Sequence, residues 1–147
     1  MDIFGATVEP IVALFLLGEL GVLVGLVVAF FLGRFHKGRA HHYLMLVAFL
    51  ADLLVFKPLM YSRAVSVWGP FPWEGTRIAP HLVLSALAGA AGAVAIILGF
   101  KYRIKKGPKM LMPPKGRLHR RLGWVFLVVW SAALIVGILI FVETYAP

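Results

Sequence analysis

Five histidines and two carboxylates carry most of the chemistry this chain could perform. The histidines are His36, His41, His42, His81 and His119. Imidazole binds metals and moves protons, and a pair on facing helices can hold the iron of a b-type haem. The carboxylates are Glu19 and Asp52, each set well inside a long apolar run. An acid at that depth is costly unless it is paired or protonated, which makes it a functional candidate. Side by side, the two could share a proton. Lys57 lies about one and a half turns beyond Asp52 and could pair with it, which would make the group structural instead. The chain has no cysteine. It shows no nucleophile–base constellation and no phosphate-binding glycine loop, so a self-contained enzyme is not expected.

The elements that must position these groups follow from composition. The 147 residues are 61% hydrophobic and 14% charged, with mean hydropathy +0.92. A soluble domain is nearer 45–50% apolar and about 25% charged. Disorder is excluded by the apolar excess, and a disulfide scaffold by the lack of cysteine. Four apolar runs stand out, at about 11–32, 43–60, 81–100 and 122–142. Each is near the ~20 residues a helix needs to cross the hydrocarbon. Peptide groups in lipid must bond internally, and no period-two polarity marks a barrel. The expectation is an all-α, integral membrane four-helix bundle in a single domain. Its place would be the cell (cytoplasmic or inner) membrane.

Charge distribution sets the expected orientation. The first connection holds Arg34, Lys37 and Arg39, and the third runs from Lys101 to Arg121 with nine basic residues. The middle connection holds only Arg63 and Arg77, and both termini lack Lys and Arg. The positive-inside rule puts both termini outside and the two basic connections in the cytoplasm. The net charge of +9 is therefore a topology signal, and no nucleic-acid partner is expected. In the outer connection, Trp68, Gly69-Pro70, Phe71-Pro72 and Trp73 read as an interfacial cap. In the third, Gly107-Pro108 and Pro113-Pro114 forbid a continuous helix. Gly18, Gly21 and Gly25 on the first run, and Gly89, Gly92 and Gly99 on the third, suit close helix packing or room for a flat cofactor.

Direction of travel decides which histidines can meet. The second and fourth runs both start inside, so His41, His42 and His119 share one level. His81 starts the third run and lies roughly 25–30 Å away. His41 or His42 facing His119 could be a haem axial pair, with Arg39, Arg117 and Arg120 pairing the propionates. The same arginines serve equally well as topology residues.

The stretch His41-His42-Tyr43-Leu44-Met45 resembles the His-x-x-Leu-Met start of a helix in two groups. One is the di-haem cytochrome b superfamily of the b561 and ferric-reductase kind. The other is a four-helix membrane family, domain of unknown function 420, some of whose members are linked to assembly of cytochrome aa3 oxidase. In that second family the fourth helix opens with His-Arg, with a Trp eleven positions on and a Gly seven further. Here these are His119-Arg120, Trp130 and Gly137, and His81 is similar to the histidine that begins the third helix. The resemblance covers about 35–142. It implies His41 and His119 as axial ligands of haem b, chosen over His42 by the spacing to Met45. A second haem would need an outer histidine to partner His81, and only Lys57, Met60 and Tyr61 stand nearby. His81 is therefore expected to serve a quinone, a metal or a partner subunit, with Glu19 and Asp52 exchanging protons with the quinone.

Three functions are compatible with these residues. The first is a small cytochrome b-like protein, holding haem between helices two and four, that acts in respiratory electron transfer or oxidase assembly beside a larger complex. The second is a non-redox assembly subunit. The third is a small proton-coupled transporter, against which stand the connections of about 20 residues, far longer than a minimal exporter needs.

Overall fold

The computed structural model describes residues 2–3, 6–7, 10–35, 38–68, 78–102, 104–106, 109–111 and 116–145. Four helical rods long and apolar enough to cross a membrane dominate it. The first is α1 (Pro10–Arg34). The second is α2 (Gly38–Ala51), which runs through a π-helical turn (Asp52–Phe56) into α3 (Lys57–Trp68). The third is α4 (Ile78–Tyr102) and the fourth α5 (Arg117–Tyr145). Two short antiparallel hairpins lie outside the rods, β1 (Asp2–Ile3) with β2 (Ala6–Thr7) and β3 (Ile104–Lys106) with β4 (Lys109–Leu111). His36, the part of the tryptophan–proline cap over 69–77, and Arg103 and Lys115 of the third connection lie outside the described residues.

Every rod is longer than the apolar run that announced it. The runs measure hydrocarbon thickness, whereas a helix continues into the interface as long as its backbone is satisfied. Polar segments such as Gly38–His42 and Arg117–Arg121 are therefore helical. Pro10 opens α1 and Pro80 sits in the first turn of α4, where a missing N–H costs nothing.

The π turn follows from Pro58. A proline inside a helix lacks an N–H, and its ring collides with the carbonyl four residues back, here that of Leu54. One extra residue in the preceding turn relieves that collision. The Lys57 N–H accordingly reaches Asp52 O, five residues back.

α4 packs along α5 and α1 along α2, and the pairs meet where α2 touches α4 and α1 touches α5. Val22, Leu26, Ala48, Phe49, Ala88, Phe126 and Trp130 form the core. Large apolar side chains such as Leu14, Val24, Ile97 and Val128 face outward, as a lipid-facing surface requires. The small residues are not equivalent. A Cβ on Gly92 would come within 2.8 Å of the Phe49 ring and 2.9 Å of Phe126, whereas a Cβ on Gly21 or Gly89 would meet nothing within 4 Å. Gly92→Ala is expected to destabilise the bundle by about 1–3 kcal/mol through overpacking. Gly21→Ala should change stability by no more than about 0.5 kcal/mol. Denaturant titration in detergent micelles, followed by circular dichroism, measures both.

Candidate functional site

Four imidazoles are held in one way. In each, Nδ1 donates to a backbone carbonyl: His41 to Ala29 O on α1 at 2.7 Å, His42 to Gly38 O on its own helix at 2.7 Å, His81 to Ala133 O on α5 at 2.9 Å, and His119 to Ala95 O on α4 at 2.7 Å. A carbonyl can only accept, so Nδ1 carries the proton and Nε2 keeps its lone pair in the neutral ring.

The three interhelical bonds share a receptor in the sequence. Ala29, Ala95 and Ala133 are each followed four residues later by glycine, at Gly33, Gly99 and Gly137. In an α-helix the carbonyl of residue i points along the axis toward residue i+4. A side chain there would screen the oxygen from a neighbouring helix, and glycine leaves it open. A Cβ on Gly33 would lie 2.9 Å from His41, on Gly99 2.9 Å from His119, and on Gly137 3.0 Å from His81. The repeat Ala-x-x-x-Gly is legible in the sequence, where small residues read only as packing or cofactor room.

One end of the bundle gathers His41, His42 and His119. Ring centres are 5.2 Å apart for His41–His42, 6.1 Å for His41–His119 and 6.2 Å for His42–His119. The last two rings are nearly parallel, at 5°. His42, disfavoured against His41 by the sequence spacing, is the most enclosed of the three at 8% exposure. Its Nε2 is buried with no hydrogen-bond partner. Arg39, Arg117 and Arg120 lie at this same end with exposed side chains.

A porphyrin does not fit among these rings as they stand. An axial pair needs the plane between its two rings clear. The three separations put the third ring centre about 5 Å from the midpoint of any other two, roughly where the macrocycle would lie. Among the described residues, no three histidine or carboxylate side chains are already arranged as a metal site.

The opposite end holds the second constellation. Fourteen residues separate His81 from Ala95 on α4, and His119 from Ala133 on α5, so the two levels are about 21 Å apart. That is closer than the sequence estimate, because His81 and His119 each bond a carbonyl well inside the facing helix. His81 lines a partly open cavity of about 220 Å³ with Glu19, Lys57, Tyr61, Trp130 and Phe141. Its wall is mostly apolar. Glu19 and Asp52 are buried, at 6% and 2% exposure, and their carboxyls lie within side-chain hydrogen-bonding reach. Lys57 Nζ donates to Asp52 Oδ1 at 2.8 Å. In an α-helix residues five apart point about 140° away from each other; the π turn brings Asp52 and Lys57 onto one side. Met60 also lines the cavity, so each residue noted near His81 in the sequence is there.

Comparison with protein-family models, with curated proteins and with solved structures finds no match for this chain. The geometry stands alone.

The cavity wall thus sets Glu19 beside the Asp52–Lys57 pair, with Arg63 also lining it. Lys57→Met should strand the Asp52 charge and cost about 3–5 kcal/mol, and adding Asp52→Asn should recover most of it. The same detergent unfolding assay reads this double-mutant cycle.

Proposed function

We propose that this multi-pass membrane protein binds a quinone-class molecule in the cavity beside His81 and serves a larger respiratory complex as an accessory subunit. The observation that carries this reading is the His81 ring, tied through Nδ1 to Ala133 O on the wall of an apolar cavity. Its Nε2 accepts a hydrogen bond, which suits the hydroxyl of a quinol head. Lys57, Tyr61 and a protonated Glu19 supply donors, which suit a quinone carbonyl. The cavity of about 220 Å³ accommodates a substituted six-membered ring and leaves a long apolar tail to the bilayer. Ligand pockets have this character, largely apolar with few placed polar groups.

The chemistry assigned to the chain's own residues is limited. His81 orients the head group. Glu19 exchanges a proton with the head-group oxygen nearest it, and Asp52 with Lys57 holds the local charge balance. The bound quinone supplies the redox chemistry. No step is drawn through a haem, because the rings at the other end do not leave it a plane. In this reading the Arg-rich end faces the cytoplasm, with both termini outside, in the cytoplasmic or inner membrane. Oxidase assembly, which the resemblance to domain of unknown function 420 implies, is a service of the same accessory kind.

Trp130 on the cavity wall provides the measurement. A short-tailed quinone should quench its fluorescence saturably in detergent-solubilised protein, and Trp130→Phe should remove that component. His81→Ala should weaken binding about tenfold, the worth of one hydrogen bond of ~1.4 kcal/mol. Gly137→Ala should do the same without touching histidine, because it pushes the ring off Ala133 O. Equal affinity in wild type and His81→Ala would refute the reading.

A further inference from the structure

We infer that His41, His42 and His119 form a binding site for a single first-row transition-metal ion at the basic end of the bundle. Three observations converge on it. The ring centres surround a common point about 3.4 Å from each, while a ring bound through nitrogen at about 2.0–2.1 Å has its centre roughly 3.2 Å from the metal. The Nδ1 protons of all three rings are committed to backbone carbonyls, which is the support that fixes Nε2 as the ligating atom in protein metal centres. His42 Nε2 is enclosed without a partner beside the Gly99 backbone and the His119 ring. A buried acceptor left unpaired costs about 1–3 kcal/mol, and an ion satisfies it.

The ligand set defines the class of ion. Among the residues whose side chains the structure describes, the carboxylates fall elsewhere: Glu19 and Asp52 within the opposite half and Glu143 at the far end of α5. Three neutral imidazoles without a carboxylate suit zinc, copper, cobalt or ferrous iron and disfavour magnesium and calcium. Three protein ligands also leave a fourth position for water or an incoming group. The rings do not yet converge on one point, since those of His42 and His119 stand nearly parallel at 5°, so binding requires them to turn about their Nδ1 anchors. This inference is independent of the cavity beside His81, which shares no residue with it.

The test uses tag-free full-length protein in detergent, titrated with Co²⁺ and then with Zn²⁺. One equivalent of Co²⁺ should bind per chain, with the visible absorption of a four-coordinate site, and Zn²⁺ should displace it. His42→Ala and His119→Ala should each abolish stoichiometric binding, while His81→Ala leaves it intact. Gly99→Ala keeps every histidine but displaces the His119 ring from Ala95 O, and should weaken binding about 10–100-fold. Circular dichroism checks the fold of each variant, and if His42→Ala does not fold, the His119→Ala and Gly99→Ala results decide. No binding at one equivalent, or unchanged binding in His119→Ala and Gly99→Ala, overturns the inference. Uptake of haem with a sharp reduced α band that depends on His41 and His119 also overturns it, since the rings would then part around a porphyrin.

Discussion

The structure depends on one interaction, an imidazole N–H donated to a helix carbonyl that glycine has left bare. Water is absent from the hydrocarbon, so helices there gain nothing by burying oily surface against each other. What distinguishes one packing from another is close approach and the few polar bonds available. The bonds from His41 to α1, from His119 to α4 and from His81 to α5 supply both. Each ties two rods at a defined height and angle. The α4–α5 pair is tied twice, reciprocally, once near each end, and it is also the most extensively packed pair. The same bonds decide the chemistry, because a ring that has spent its Nδ1 proton on the scaffold presents a lone pair at Nε2. Structural clip and potential ligand are thus one arrangement.

The second constraint is a proline. Pro58 cannot sit in an uninterrupted α-helix, and the π turn that accommodates it shifts the register of everything beyond. Asp52 and Lys57 then fall on one side and pair at 2.8 Å, against a neighbouring Glu19. Phe56, the last residue of the turn, lies over Gly18, so the bulge fits α1 where α1 is smoothest. Relieving a backbone collision also assembled a cluster of opposite charges within the spans.

Much of this was legible beforehand. Four apolar runs of the right length announced four rods, and antiparallel counting put Glu19 level with Asp52 and gathered His41, His42 and His119. The boundaries were not legible from hydropathy, since interfacial arginines and histidines extend a helix without adding apolar character. Pro58 was visible, but its consequence depends on whether a helix kinks, breaks or bulges, and tertiary packing decides that. The preference for His41 over His42 rested on spacing to Met45. Spacing along one helix cannot tell which of two adjacent rings is enclosed, and that is settled by Gly99 on another rod. The Ala-x-x-x-Gly repeats had the composition of ordinary packing stripes. Only the histidine opposite each one distinguishes them, and the partner of Ala29, Ala95 or Ala133 lies 12, 24 or 52 residues away.

Between the two polar ends lies a plug of Phe49, Phe126 and Trp130, with Leu26 and Val22 beside it. Phe126 is 1% exposed and Trp130 2%. A plug of this kind carries no proton donors except the Trp130 indole, so it offers no chain of exchangeable groups from one end to the other. The plug thus separates the cavity beside His81 from the end that gathers His41, His42 and His119. The asymmetry of charge supports the same division. Among the described residues Glu19, Asp52 and Glu143 lie toward one end of the bundle, and His41, His42 and His119 share the other with Arg39, Arg117 and Arg120.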